Sequence, residues 1–143
     1  MKKKIVRLAS SILCIISLLT MLGITANAAT TARTSTYYMD GEKIYGTVTR
    51  YTKYGSGTTY CELSTAKKAV VVYFEHKTTS GLYVTTTAGS PTLTQNNATK
   101  LTKKTNTNPP SFKSSVKAYT DHYVQTRPGL LWSSYDCEDI PVA

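Results

Sequence analysis

The chain has 143 residues and a formal net charge of +9 at pH 7, with 17 basic and 8 acidic side chains. This length accommodates one domain with a single hydrophobic core, so we expect no second domain. Because the chain contains no catalytic signature and no metal-binding motif, the enzyme classes that such motifs define are excluded.

The first 28 residues have the three parts of a secretory signal peptide. Met1–Arg7 is basic, Leu8–Ile24 is largely apolar, and Ala26–Ala28 offers small residues for cleavage. The apolar run is interrupted and falls short of the ~20 residues of a spanning helix, so we expect no transmembrane span after cleavage. Cleavage leaves 13 basic against 8 acidic residues, a net charge of +5. The short lysine-rich start indicates a secreted bacterial protein.

Two cysteines, Cys61 and Cys137, belong to the predicted mature chain. Export would take them into a non-reducing compartment, where one pair typically forms a disulfide. Such a bond would close a loop of about 77 residues and stabilise the fold by about 4.5 kcal/mol through the entropy of the unfolded chain. The sequence therefore predicts a Cys61–Cys137 disulfide.

Alternating apolar and polar residues begin soon after the predicted cleavage point. Residues 29–35 are small and polar, so we interpret them as a flexible leader that precedes a folded domain at 36–143. Asp40-Gly41 suits the tight turn of a hairpin. The segment 43–53 then alternates, with aliphatic residues on one face and tyrosines and threonines on the other, which predicts a strand.

The longest apolar, β-branched and aromatic run after the signal peptide is 67–77, which predicts a central strand. Shorter strands are predicted on both sides of it, and no stretch shows helical periodicity. Residues 88–111 are rich in Asn, Pro, Gly and Lys, so we expect a long basic loop there, with at most a weak edge strand near 99–102. Together these patterns predict an all-β fold, a small antiparallel β-sandwich of about seven strands.

Two histidines follow acidic residues, which raises the question of a metal or acid–base site. Adjacent residues on a strand point to opposite faces, so His76 cannot act with Glu75, nor His122 with its neighbour Asp121. The sequence also lacks a nucleophile elbow and a defined pair of catalytic carboxylates. We therefore predict no catalytic residues, no metal site and no cofactor. A metal site using His76 and His122 alone is the minority hypothesis.

Charge is distributed unevenly, because no acidic residue occurs between His76 and Asp121, whereas six lysines do. Lysines in a loop can simply keep the chain soluble and discourage pairing between sheet edges. They can also attract an anionic surface. On the second interpretation, the predicted contact residues for an anionic surface are Lys100, Lys103, Lys104, Lys113 and Lys117, with aromatic contacts from Tyr119, Tyr123 and Trp132.

These patterns favour a secreted, non-catalytic binding protein that associates with anionic material of the cell envelope or the extracellular space. The expected partner is an anionic wall polymer, a lipid head group or an acidic glycan, whereas export argues against nucleic acid. The main alternative is a bacteriocin-like antibacterial protein that acts on the envelope of a competitor. The second alternative is a small secreted hydrolase that uses His122 with an acid.

Overall fold

A computed structural model describes residues 29–139, and the side chains of residues 29–134. Within these residues the chain forms nine β-strands and no helix, and thus no helix that could cross a membrane. The strands are β1 (Thr30–Arg33), β2 (Tyr37–Met39), β3 (Glu42–Arg50), β4 (Gly55–Cys61), β5 (Lys67–Thr78), β6 (Tyr83–Gln95), β7 (Lys100–Lys104), β8 (Phe112–Arg127) and β9 (Leu130–Asp139). The predicted signal peptide at 1–28 lies outside the described residues.

The strands build two antiparallel sheets. Sheet A has the order β1-β3-β4-β7, and β2 pairs with the opposite end of β3 from β1. Sheet B has the order β6-β5-β8-β9. An antiparallel sheet can bury one face and leave the other in water, and the two sheets pack by their buried faces. The predicted all-β antiparallel sandwich is confirmed.

The predicted central strand is β5, which pairs with β6 on one side and β8 on the other. Val70, Val72 and Phe74 point into the sandwich and are almost completely buried. Ala69 and Val71 on the opposite face are also covered. Burying a valine or phenylalanine side chain contributes about 1.5–3 kcal/mol, so this strand anchors sheet B.

Strands β4 and β8 face each other across the core in one register. Three facing pairs define it: Gly55 with Ala118, Gly57 with Thr120, and Thr59 with His122. The same register places Cys61 opposite Val124, and both belong to one apolar cluster. Successive pairs are two residues apart along β4 and also two residues apart along β8, so the register does not shift. The outer pairs belong to two apolar clusters, and the pair of Thr59 and His122 forms a polar centre between them.

The predicted hairpin turn at Asp40-Gly41 joins β2 to β3. Both residues have positive φ, 54° and 82°, which two-residue hairpin loops require and which Asp-Gly adopts readily. Asp40 accepts a hydrogen bond from the Thr126 hydroxyl at 2.8 Å and pairs with Arg127 at 3.3 Å. These contacts connect the turn to the end of β8.

Strands occupy both regions where the sequence predicted irregular structure. Thr30–Arg33 forms β1 instead of a flexible leader, because its backbone pairs with the end of β3. Within the predicted loop at 88–111, β6 continues to Gln95, and Lys100–Lys104 forms β7 along β4. These residues bury little apolar surface, but threonine suits strands and edge pairing satisfies backbone hydrogen bonds. The described part of the chain therefore has nine strands rather than seven.

The predicted Cys61–Cys137 disulfide is absent, because Cys61 is a free cysteine buried in the core. Cys61 faces Val124 from sheet A, whereas Cys137 pairs with Thr120 within sheet B. Val124 and Thr120 lie four residues apart, about 13 Å along the strand, while bonded cysteines need Cα atoms within roughly 7 Å. Burial also raises the pKa of the Cys61 thiol, which favours its protonated form.

Candidate binding surface

A row of aromatic and cationic side chains crosses the outer face of sheet A. Tyr45 on β3 pairs with Tyr60 on β4, which in turn pairs with Lys100 on β7. Arg33 on β1 completes the row, because its guanidinium carbon lies 3.7 Å from the centre of the Tyr45 ring. With ~4.8 Å between neighbouring strands, the row is about 14 Å long. It therefore runs across all four strands of the sheet order.

Ring contacts hold this row in place. The Tyr45 and Tyr60 rings are stacked, with centroids 4.5 Å apart and planes inclined by 19°. Desolvation, and then the nearby Glu62 carboxylate, raise the pKa of Tyr60, so its phenol is neutral at pH 7. The Arg33 cation lies against the negative face of an aromatic ring. The result is an ordered aromatic ridge with a cation at each end.

Threonine hydroxyls cover the same face beside the aromatic ridge. Thr31 and Thr49 share a hydrogen bond between their hydroxyls at 2.9 Å, and Thr58 and Thr102 share one at 2.8 Å. Such cross-strand pairs fix the side chains of neighbouring strands relative to one another. Each hydroxyl oxygen retains further hydrogen-bonding capacity for water or a ligand. The face therefore combines polar groups with the ridge at regular strand spacing.

The structure divides the five predicted lysines between the two sheets. Lys100 and Lys104 lie on β7 and point outward on sheet A, in register with the outward residues of β4. Lys103 has the opposite orientation and lines a cleft of about 240 Å³ at the edge of the sandwich. Lys113 and Lys117 belong to β8 in sheet B. Only Lys100 and Lys104 therefore join the ridge on sheet A.

The outer face of sheet B also carries aromatic residues, but anions accompany its cations. Tyr119 stacks on Tyr73 with centroids 4.6 Å apart, and Lys117 Nζ lies 5.0 Å from the centre of the Tyr119 ring. Glu75 is directly opposite Lys117 in the strand pairing. Tyr73 donates a hydrogen bond to Asp121 at 3.2 Å, and its pKa is raised by burial and by that carboxylate. This face is closer to electrical balance than sheet A.

Two further aromatic residues were predicted as contacts. Tyr123 lies on the outer face of sheet B, like Tyr119. Trp132 pairs with Val124 and packs against the apolar cluster that contains Cys61. Trp132 therefore contributes mainly to the core, although it also lines a shallow cleft.

His122, which the hydrolase hypothesis requires, is fully buried in the polar centre of the core. Thr59 Oγ1 donates to the Ala69 carbonyl at 2.9 Å and lies 2.8 Å from Nδ1 of the ring. The Thr59 oxygen therefore accepts from Nδ1–H, and Nε2 accepts from Thr120 Oγ1 at 2.7 Å. Burial lowers the pKa of His122 to about 4, so the ring is neutral at pH 7. Its partners are threonines rather than an acid.

His76 is buried at the opposite end of β5 from Lys68. Its ring lies between those of Phe74 and Phe112, with centroids 5.8 Å apart in each case. The strand partner of His122 is Val70, six residues from His76, so the two histidines lie about 20 Å apart along the sheet and cannot bind one ion. No cluster of His, Cys, Asp and Glu suitable for a metal occurs among residues 29–139.

The sequence prediction did not identify Arg33, Tyr45 or Tyr60 as contact residues. Alternation within 43–53 already places Tyr45 on the polar face of its strand. The sequence does not show which strands pair with β3. The ridge forms only when β1, β4 and β7 are aligned in one sheet with β3.

No family model, no curated protein and no solved structure matches this chain. The inferences about function below therefore depend on the geometry and the charge of the two outer faces.

Proposed function

We propose that this protein is a secreted, non-catalytic binding protein that holds an anionic polymer of the cell envelope against the outer face of sheet A. The observation that carries the proposal is the ridge formed by Arg33, Tyr45, Tyr60 and Lys100, with Lys104 beside it. Stacked rings offer contact area that is already ordered, and the cations attract phosphate or carboxylate groups. Secretion is inferred from the signal-peptide pattern at 1–28.

Charge favours sheet A over sheet B as the binding face. Lys100 and Lys104 are exposed on an edge strand that carries no acidic residue. On sheet B, by contrast, Lys117 lies opposite Glu75, and Asp121 is on the same face. Apart from Glu62 beside Tyr60, an anionic chain would therefore meet mainly positive charge along the ridge of sheet A and mixed charge on sheet B.

The threonine hydroxyls narrow the expected ligand class. Thr58 and Thr102 lie between Lys100 and Lys104 in the strand pairing, so hydroxyl groups alternate with cations along this edge. A polymer that carries both anionic groups and hydroxyls would satisfy such a surface with ionic contacts and hydrogen bonds together. The proposed ligands are therefore phosphate-bearing wall polymers and acidic glycans.

The test compares two double charge reversals in binding of the purified mature protein to an immobilised phosphate-bearing wall polymer. Lys100→Glu with Lys104→Glu should weaken binding roughly tenfold or more at low salt and flatten the salt dependence. Lys67→Glu with Lys113→Glu makes the same change in net charge at exposed positions of sheet B and should have a much smaller effect.

Equal weakening by the two double variants would show that net charge alone drives binding and would reject sheet A as the site. Absence of salt-sensitive binding to wall polymers and to acidic glycans would reject the function itself. Inhibition of bacterial growth by the purified protein would instead support the antibacterial alternative.

A further inference from the structure

The hairpin between β5 and β6 presents apolar side chains to solvent at one end of sheet B. Leu82 is 66 percent exposed, Tyr83 is 63 percent exposed and Val84 is 39 percent exposed. Scattered exposed apolar residues are normal on soluble proteins, but these three follow one another at one end of the sheet, with Tyr83 and Val84 on opposite faces of β6. We call Leu82, Tyr83 and Val84 the hairpin tip.

Hydrogen bonds order the turn that carries this tip. The Thr78 amide donates to the Leu82 carbonyl at 2.8 Å, and the Leu82 amide donates to Thr78 Oγ1 at 3.0 Å. The Gly81 amide donates to the Thr78 carbonyl at 2.9 Å, and the positive φ of Gly81, 89°, permits the sharp reversal. A partner that buries Leu82 would therefore meet a turn that is already ordered, which limits the entropy cost of binding.

Lysines lie level with the hairpin tip, because Lys77 is the strand partner of Tyr83. Lys77 Nζ lies 5.5 Å from the centre of the Tyr83 ring. Lys113 follows Phe112, which pairs with Thr78 at the start of the turn. Apolar side chains beside lysines are typical of interfacial membrane contacts, where the apolar groups enter the acyl boundary and the long lysine side chains reach back to the head groups.

We propose that the hairpin tip inserts into the surface of an anionic phospholipid bilayer, with Lys77 and Lys113 against its head groups. Lys77 and Lys113 would complement the charge of anionic head groups. At the opposite end of sheet B, Leu131 is 55 percent exposed, Arg127 is paired with Asp40 at 3.3 Å, and Lys67 lies level with Leu131 through Gln125. Among the described side chains of β8 and β9, Leu131 is the one large apolar residue exposed at that end, against three at the hairpin tip, so the amount of apolar surface distinguishes the two ends.

The experiment measures sedimentation of the purified mature protein with vesicles of phosphatidylglycerol and phosphatidylcholine. Leu82→Ser should lower partitioning about tenfold, because a leucine side chain no longer leaves water. Leu131→Ser is the matched control, with the same chemical change at the opposite end, and should leave partitioning unchanged. Lys77→Gln and Lys113→Gln should each lower partitioning about fivefold. All four substituted positions are outside the core, so thermal unfolding should confirm that every variant is folded.

The bilayer proposal would be overturned by equal loss with Leu131→Ser, by equal partitioning into pure phosphatidylcholine vesicles, or by no partitioning at all. Displacement by dissolved glycerol phosphate would also overturn it, because that result would indicate recognition of a free anion without insertion. The vesicles contain no wall polymer, and Lys100→Glu with Lys104→Glu leaves the hairpin tip intact. Failure of this proposal and failure of the polymer-binding function are therefore distinguishable.

Discussion

The close approach of Gly46 to His122 between the two sheets predicts the effect of a single methyl group. Gly46 on β3 faces the ring of His122, and a Cβ atom at this position would overlap with the ring. Gly46 does not have a positive φ, so alanine is compatible with the backbone here. The substitution Gly46→Ala therefore tests the position of the ring rather than the conformational freedom of glycine.

The expected loss of stability in Gly46→Ala comes from overpacking and from the hydrogen bonds that the His122 ring loses. To admit the methyl group, His122 has to move away from its hydrogen bonds with Thr59 at 2.8 Å and Thr120 at 2.7 Å. Overpacking costs about 1–3 kcal/mol and a buried polar group without a partner costs about 1–3 kcal/mol, so Gly46→Ala should lose about 2–6 kcal/mol. That is a large part of the ~5–15 kcal/mol that stabilises a small domain.

Urea unfolding of two matched variants provides the measurement. Gly55→Ala is the control, because Gly55 is also buried in sheet A, but a Cβ atom there would meet Ala118 and Phe74 at 3.3 Å and 3.4 Å. We expect it to change the free energy of unfolding by less than about 1 kcal/mol. In a double-mutant cycle, His122→Ala should relieve part of the cost of Gly46→Ala. Equal effects of the two glycine variants, or strict additivity in the cycle, would refute this account of the core.

Three further predictions concern other buried groups. The pKa of His122 is about 4 in the folded protein, against 6.5 for a solvated histidine, so the unfolded chain binds its proton first. The contribution of His122 to the free energy of unfolding should be complete above pH 6.5 and fall by about 3 kcal/mol toward pH 4. An NMR experiment in which the His122 imidazole itself titrates near pH 6.5 would contradict this. Cys61 should react with an alkylating reagent only after unfolding, whereas peptide mapping that links it to Cys137 would disprove the free thiol. Lys68→Met should cost about 1–3 kcal/mol by thermal unfolding, because the buried Lys68 amine donates to three backbone carbonyls, while exposed Lys67→Met should cost little.

The strands that could be predicted are those whose own residues alternate. In β8 the sequence assigns Ala118, His122 and Val124 to one face and Tyr119 and Tyr123 to the other, and the burial of these residues confirms that assignment. Edge strand β1 could not be predicted in the same way, and the sequence indicates β7 only as a weak edge strand near 99–102. Their residues bury little surface, so they become strands only because β3 and β4 offer unpaired backbone groups beside them.

The candidate site could be predicted only in part, because sequence proximity was a poor guide to spatial proximity. The lysines from 100 to 117 form one cationic region in the sequence. The chain between β7 and β8, however, passes from sheet A to sheet B, so Lys104 and Lys113 belong to different sheets. The charge pattern of the sequence therefore predicted a cationic surface, whereas the sheet topology determines which lysines share a face.

The absent disulfide and the polar core have a common cause in the register between the sheets. To bring Cys61 level with Thr120, the strand partner of Cys137, β4 would have to slip by four residues along β8. That slip would separate Thr59 from Nδ1 of His122, at a cost of about 1–3 kcal/mol, and would break up the apolar clusters. Displacing even two core side chains adds about 3–6 kcal/mol, so the total cost of about 4–9 kcal/mol equals or exceeds the roughly 4.5 kcal/mol expected from the disulfide. Packing and hydrogen bonding therefore keep Cys61 away from Cys137, even if the chain folds where thiols can oxidise.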